Sequence, residues 1–270
     1  MVIRRIREHV TSHNWFAVGI DLAIVIAGVF IATQATNWND ARIEREQSRS
    51  YQARLVDELN SNVSQFRHQI AYYKQARRHG IATLRALQSP AALSGREFLV
   101  DAYQTTQIDT AYPKRFIYDE LVSAGLVNRL GSPHIQAIVG DYYLWIEAIQ
   151  RSLEDILPYR SNMRALIPYT AQMQIRNQCG DVEVYDGRRV VGYRLPEHCN
   201  INLDNVMVRA AVLHIREQPQ MVDDLTRYLA SLDEKIGALE GTVVEAEKLK
   251  MILVAAARKD KRSAPSKTFS

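Results

Sequence analysis

The chain has 270 residues, 47% hydrophobic and 24% charged, with a formal net charge of +4 and two cysteines. This is ordinary globular usage, so composition excludes a disordered or low-complexity protein. The scattered basic excess implies no nucleic-acid partner, and no HExxH, GxSxG, Walker or dinucleotide glycine pattern occurs to suggest an enzyme, a cofactor or a metal site.

Residues 1–14 form a short head with Arg4, Arg5 and Arg7. Residues 15–38 follow as an apolar run, and from Leu22 to Asn39 no formal charge occurs over 18 residues. That is about 27 Å of helix, close to the thickness of a bilayer hydrocarbon core, so a transmembrane helix is expected. Trp15 and Trp38 bracket it as interfacial aromatics. Ala17, Asp21, Gly28, Ala32, Ala35 and Asn39 fall within about 60° of one another on such a helix, a small and polar stripe. It suits close packing on a second membrane helix; the plainer reading is a passive anchor with Asp21 near the headgroups.

Orientation is not decided by arginines alone, because Arg42, Arg45, Arg49 and Arg54 follow the span. The positive-inside rule weakens for long translocated domains, which favours the short head in the cytoplasm and the large domain in the periplasm. Thr33-Gln34-Ala35 loosely fits a signal-peptidase site, so a cleaved leader is the competing reading.

Over residues 40–89 the apolar positions Leu59, Val63, Phe66, Ile70, Tyr73, Ile81, Leu84 and Leu87 recur at helical spacing, with Gly80 the one weak point. The membrane helix is therefore expected to continue as a long amphipathic helix. Ser89-Pro90 stops it, and Ser94 with Glu97 makes a capping box for a helix ending before Pro113. A short helix over 114–124 should stop at Gly125.

Ser132-Pro133 starts a helix to residue 157 whose wide face of Ile135, Ile138, Val139, Tyr142, Trp145, Ile146, Ile149, Leu153 and Leu157 marks it as the expected central core helix. Residues 159–178 continue helically, with Pro168 kinking or splitting them. Cys179 and Cys199 then bracket a segment where Asp186-Gly187 separates two β-branched runs, a hairpin signal. The two cysteines read as a disulfide of an oxidising compartment or as two buried cytosolic thiols. A helix over 204–218 follows, then, past Pro219, a near-heptad run from Val222 to Leu253 that can pair with the 40–89 helix or across a dimer. Residues 258–270, with the basic cluster Arg258-Lys259-Asp260-Lys261-Arg262, should form a flexible tail.

The fold class is thus all-α: a transmembrane helix running into a multi-helix bundle over 39–257, with one disulfide-closed hairpin insertion over 179–199. The pattern Asn14-Trp15, Ile20-Asp21, Gly28-Val29-Phe30, Gln34, Asn37-Trp38-Asn39 and Arg42 resembles an uncharacterised family of bacterial single-span inner-membrane proteins. A weaker echo is Tyr118-Asp119-Glu120-Leu121 with Ser123, Gly125 and Leu126, then Tyr142-Tyr143. The resemblance implies an inner-membrane protein with a helical soluble part, and carries no activity with it.

Thirteen tyrosines are the compositional oddity. Tyr118, Tyr142, Tyr143, Trp145 and Arg115 could line a ligand or partner cleft between helices, or could edge the core with their polar tips toward water. The seven histidines are scattered, and the acidic pairs Asp57-Glu58, Asp119-Glu120 and Asp223-Asp224 point to different helix faces and read as solvated. The expected function is non-enzymatic, a structural or protein-interaction module of the envelope. Its partners are the lipid bilayer and either a second copy or another envelope membrane protein. The alternative is a periplasmic small-ligand sensor that signals through a partner's membrane helix.

Overall fold

The structure, a computed structural model, describes residues 15–89, 95–109, 112–154 and 157–262. The expected head, the capping serine Ser94, and everything past residue 262 lie outside the described residues, as do the side chains of Trp15, Ala17 and 259–262. About 80% of the molecule is helical, with one small antiparallel hairpin.

Helix α1, Trp15–Gln88, runs 74 residues without a break, about 110 Å at the usual rise. It contains no proline and only three glycines, so nothing interrupts its hydrogen-bond ladder. No residue of its apolar window is buried among the described residues, whereas Leu55, Leu59, Val63, Phe66 and Tyr73 are buried on one face of its second part. Gly80 is a packing device rather than a weak point. A methyl group there would sit 2.7 Å from Leu229 Cδ2 and 3.0 Å from Thr105 Cγ2, so a side chain here would have to push those two aside where three helices meet.

Helix α2, Gly95–Thr105, ends well before the expected limit at Pro113. The hydroxyl of Thr105 donates to the Asp101 carbonyl at 2.7 Å and that of Thr106 to the Tyr103 carbonyl at 2.7 Å, while Arg160 and Arg164 hold the carbonyl and hydroxyl of Thr106 at 3.0 and 2.8 Å. With its carbonyl and hydroxyl taken by arginines, Thr106 does not carry the helical ladder on. Helix α3, Phe116–Ser123, stops where expected. Gly125 has φ +66°, its N–H reaches the Val122 carbonyl at 3.1 Å, and Leu126 N–H reaches the Leu121 carbonyl at 2.8 Å, the two bonds of a Schellman stop.

A 3-10 turn, Val127–Leu130, leads into α4, Pro133–Glu154. It is not the central helix. The centre is the pair of α1 with the last helix, and Trp145, expected in the core, is 49% exposed, its Nε1 donating to Thr242 Oγ1 at 3.2 Å. Helices α5, Pro158–Leu166, and α6, Tyr169–Cys179, are split at Ile167, whose extended ψ of 123° is what a following proline demands.

Strands β1, Val182–Asp186, and β2, Arg189–Arg194, pair antiparallel with Asp186 opposite Arg189. The two turn residues are therefore Gly187 and Arg188, one position later than an Asp-Gly loop, and Val191 is the extra residue of a bulge between the Val184–Gly192 and Tyr185–Val190 pairs. Cys179 and Cys199 are disulfide-bonded with Cα atoms 5.5 Å apart. The hairpin is strapped to α1: Gln75 accepts from Leu195 N–H at 2.9 Å and donates to its carbonyl at 3.0 Å.

Asp204 caps α7, Asn205–Arg216, by accepting from Met207 N–H at 2.8 Å. Helix α8, Met221–Arg262, lies antiparallel along α1, with Leu225, Leu232, Leu239, Ala246, Leu249 and Leu253 buried. The heptad run thus pairs within the chain. Each such leucine contributes about 1.5–3 kcal/mol by leaving water, whereas the flanking Lys74–Glu240 and Arg67–Glu247 pairs at 2.7 and 3.3 Å are exposed and mainly mark register. Helix persists to Arg262, so no tail begins at residue 258.

Candidate functional site

Two places carry the residues singled out from sequence, and a third cleft was not foreseen. In the first part of α1, the most apolar window of 18 residues has mean hydropathy 2.0 and none of it is buried within the molecule. The helix is long and apolar enough to cross a membrane. Phe16, Phe30, Ile31 and Trp38 are 60–79% exposed, and a methyl group on Gly28 would meet nothing within 4 Å. Gly28, Ala32, Ala35 and Asn39 are exposed and make no close packing with the other elements among the described residues, while Asp21 is half-buried. Thr33 and Thr36 donate to the carbonyls of Phe30 and Ala32 at 2.8 and 3.1 Å, which leaves those hydroxyls satisfied without water.

The second place is the tyrosine cluster. Tyr118 stacks on Tyr143 with ring centres 4.2 Å apart and planes 8° apart, and Tyr142 meets Tyr143 edge-on at 5.2 Å. The Tyr143 hydroxyl donates to Glu58 Oε1, and Ile117 N–H donates to Glu58 Oε2 at 2.9 Å. Glu58 is thus a buried acceptor, not a solvated half of an acidic pair. Burial first, and then the Glu58 charge, pushes the Tyr143 hydroxyl pKa far above that of free tyrosine. Arg115 lies 6.0 Å from the Tyr118 ring centre and pairs with Glu147 at 3.5 Å. Tyr142 and Tyr143 are 5% and 1% exposed, so the expected cleft is filled by its own rings. Trp145 does not join them; it sits over α8. The cluster fastens α3 and α4 to α1.

The third place was missed from sequence. A cleft of about 720 Å3 opens between His79 of α1, the Arg96, Asp101 and Gln104 side of α2, the 196–201 segment beside Cys199, and Asn205 and Arg209 of α7. His79 Nδ1 lies 2.7 Å from Asp101 Oδ1, and Arg96 donates to Asn205 Oδ1 at 3.0 Å and to the Leu203 carbonyl at 3.3 Å. Gln104 Nε2 donates to the Cys179 carbonyl at 2.6 Å, tying the cleft floor to the disulfide. Both signs of charge line it, which suits a small polar molecule. Its walls come from segments more than 100 residues apart, and the cysteine spacing was the sole sequence signal near it. No group of three or more metal-ligating side chains occurs among the described residues.

Comparison with known proteins adds no relative. No family model, curated protein or solved structure matches this chain.

Proposed function

We propose that this chain is a single-span inner-membrane protein, of the family its first 42 residues resemble. Its head lies in the cytoplasm and its helical domain in the periplasm, where it acts as a non-enzymatic structural or protein-interaction module. One observation carries the reading: the most apolar part of α1 is wholly unburied, yet continues without a break into the bundle core. In water that surface would be a large exposed apolar patch. A bilayer removes the cost. The disulfide suits an oxidising compartment, and Gly28, Ala32 and Ala35 are exposed among the described residues, which leaves room for a second copy or another envelope membrane protein.

Crosslinking in native membranes tests the interaction role, with an oligomer or a defined partner expected. Recovery of a lone monomer under every condition would reject it.

A second reading, a periplasmic small-ligand sensor, is favoured by the cleft at His79 and Asp101 rather than by the tyrosines. Thermal-shift screening of the full chain in detergent separates the two, since a specific ligand raises the melting temperature.

A further inference from the structure

A smaller cleft of about 350 Å3 lies at the other end of the bundle, between Ala41, Glu44, Arg45 and Ser48 of α1 and Asn128, Arg129 and Gly131 around the 3-10 turn. Its height above the apolar segment follows from helix rise. Ala41 is three residues past Trp38, about 4.5 Å along the axis, and Arg45 about 10 Å. The polar layer of a bilayer extends roughly 5–8 Å beyond each side of the hydrocarbon core. If Trp38 marks the interface, as the proposed span requires, the mouth of this cleft opens on the headgroups.

Its chemistry is that of an anion site with one balanced arm and one open arm. Arg129 is held by Glu44 at 2.6 Å. Arg45 is half-buried and forms no ion pair with a described residue, an arrangement that leaves a guanidinium fork for an incoming phosphate. Asn128 and Ser48 add polar atoms to the same walls.

The surrounding charge has the matching sign. Because α8 is antiparallel to α1, its end returns toward this part of the molecule, where Arg258 is exposed about three turns farther along α1 than Arg45. Residues 39–52 and 127–134 carry four basic and three acidic side chains, and Arg258 adds one more positive charge on the side of α8.

We infer that the cleft at Arg45, Ser48, Asn128 and Arg129 binds the headgroup phosphate of an anionic phospholipid in the bilayer that the chain crosses. The inference rests on the proposed membrane span. Lipid held there would brace the bundle against the membrane surface and fix the angle at which α1 emerges.

The test uses the full chain in phosphatidylcholine nanodiscs with and without phosphatidylglycerol, with retained lipid counted by native mass spectrometry. The wild type should keep phosphatidylglycerol through delipidation. R45Q should bind it about tenfold more weakly, the loss of one charge-assisted contact, and R45K should fall between. N128D, which adds a carboxylate to the wall and leaves the Arg129–Glu44 pair intact, should weaken it similarly, with the thermal melt of each variant unchanged. Equal retention by wild type, R45Q and N128D would overturn the inference, and so would displacement of the lipid by inorganic phosphate alone. Flotation with plain phosphatidylcholine vesicles tells this failure from that of the span: a protein that floats but shows no lipid preference rejects only the cleft, whereas one that does not float rejects both.

Discussion

Glu58 accepts from Tyr143 and from Ile117 N–H in a setting with little water. Removing that acceptor strands two donors, so E58A should cost on the order of 3 kcal/mol in urea unfolding, and E58Q, which keeps an acceptor, clearly less. The buried tyrosines give a pH signature. Burial raises the pKa of Tyr72, Tyr73, Tyr142, Tyr143 and Tyr159 well above the free value, and that of Tyr228 to about 12. A raised folded pKa leaves stability intact below the unfolded value, near pH 10, and loses it as pH climbs toward the folded values. Each tyrosine that stays protonated only in the fold lowers stability by about 1.4 kcal/mol per pH unit in that window. Urea midpoints should therefore be flat from neutral pH to about 9.5 and fall steeply by about 11; a midpoint unchanged at pH 11 would contradict the burial of these rings. None of this was legible at Glu58, because an Asp-Glu neighbour pair on a helix looks solvated until a second helix arrives on one side of it.

At the scale of elements, punctuation was read well and partnership poorly. Gly125, Pro133, Pro168 and Asp204 act through bonds within a few residues, so the chain announces them. Gly80 and Trp145 depend on which helix packs where. G80A should destabilise the domain by about 1–3 kcal/mol, because the added methyl meets Leu229 and Thr105, while G28A should leave the domain's unfolding unchanged. A helix-breaker reading of Gly80 gives the opposite sign for G80A, so the melt decides. The hairpin turn sits one residue off the Asp-Gly site because Asp186 pairs with Arg189, and a bulge at Val191 shifts the pairs farther from the turn, both matters of cross-strand pairing rather than turn propensity. The disulfide closes 20 residues, worth about 3 kcal/mol by chain-entropy reasoning. The paired C179S/C199S variant should melt lower by that margin and show no further change with reductant.

For the whole molecule, a single helix joins two environments. Its second part, with α8, forms the axis of the bundle, and α2 carries α6 and α7 against it; the apolar window of its first part has no residue buried among the described ones. The helical class, the long first helix, the heptad run and the cysteine-bounded hairpin were legible, because periodicity and cysteine spacing are properties of the line of sequence; whether the heptad run pairs within the chain or across a dimer was not. The cleft at His79 was not, since α1, α2, α7 and the 196–201 segment meet only after folding. Neither was the cleft at Arg45 and Arg129, whose walls come from α1 and the 3-10 turn and meet only after folding. The central claim is that the apolar part of α1 lies in an inner membrane with the bundle on its oxidising side. It is tested most directly by fusing a compartment-specific reporter after Ser270 and labelling Cys179 and Cys199 in intact cells. The account predicts a reporter active only in the periplasm and thiols that stay blocked until reductant is added; a reporter active in the cytosol, or cysteines that label without reduction, would contradict it.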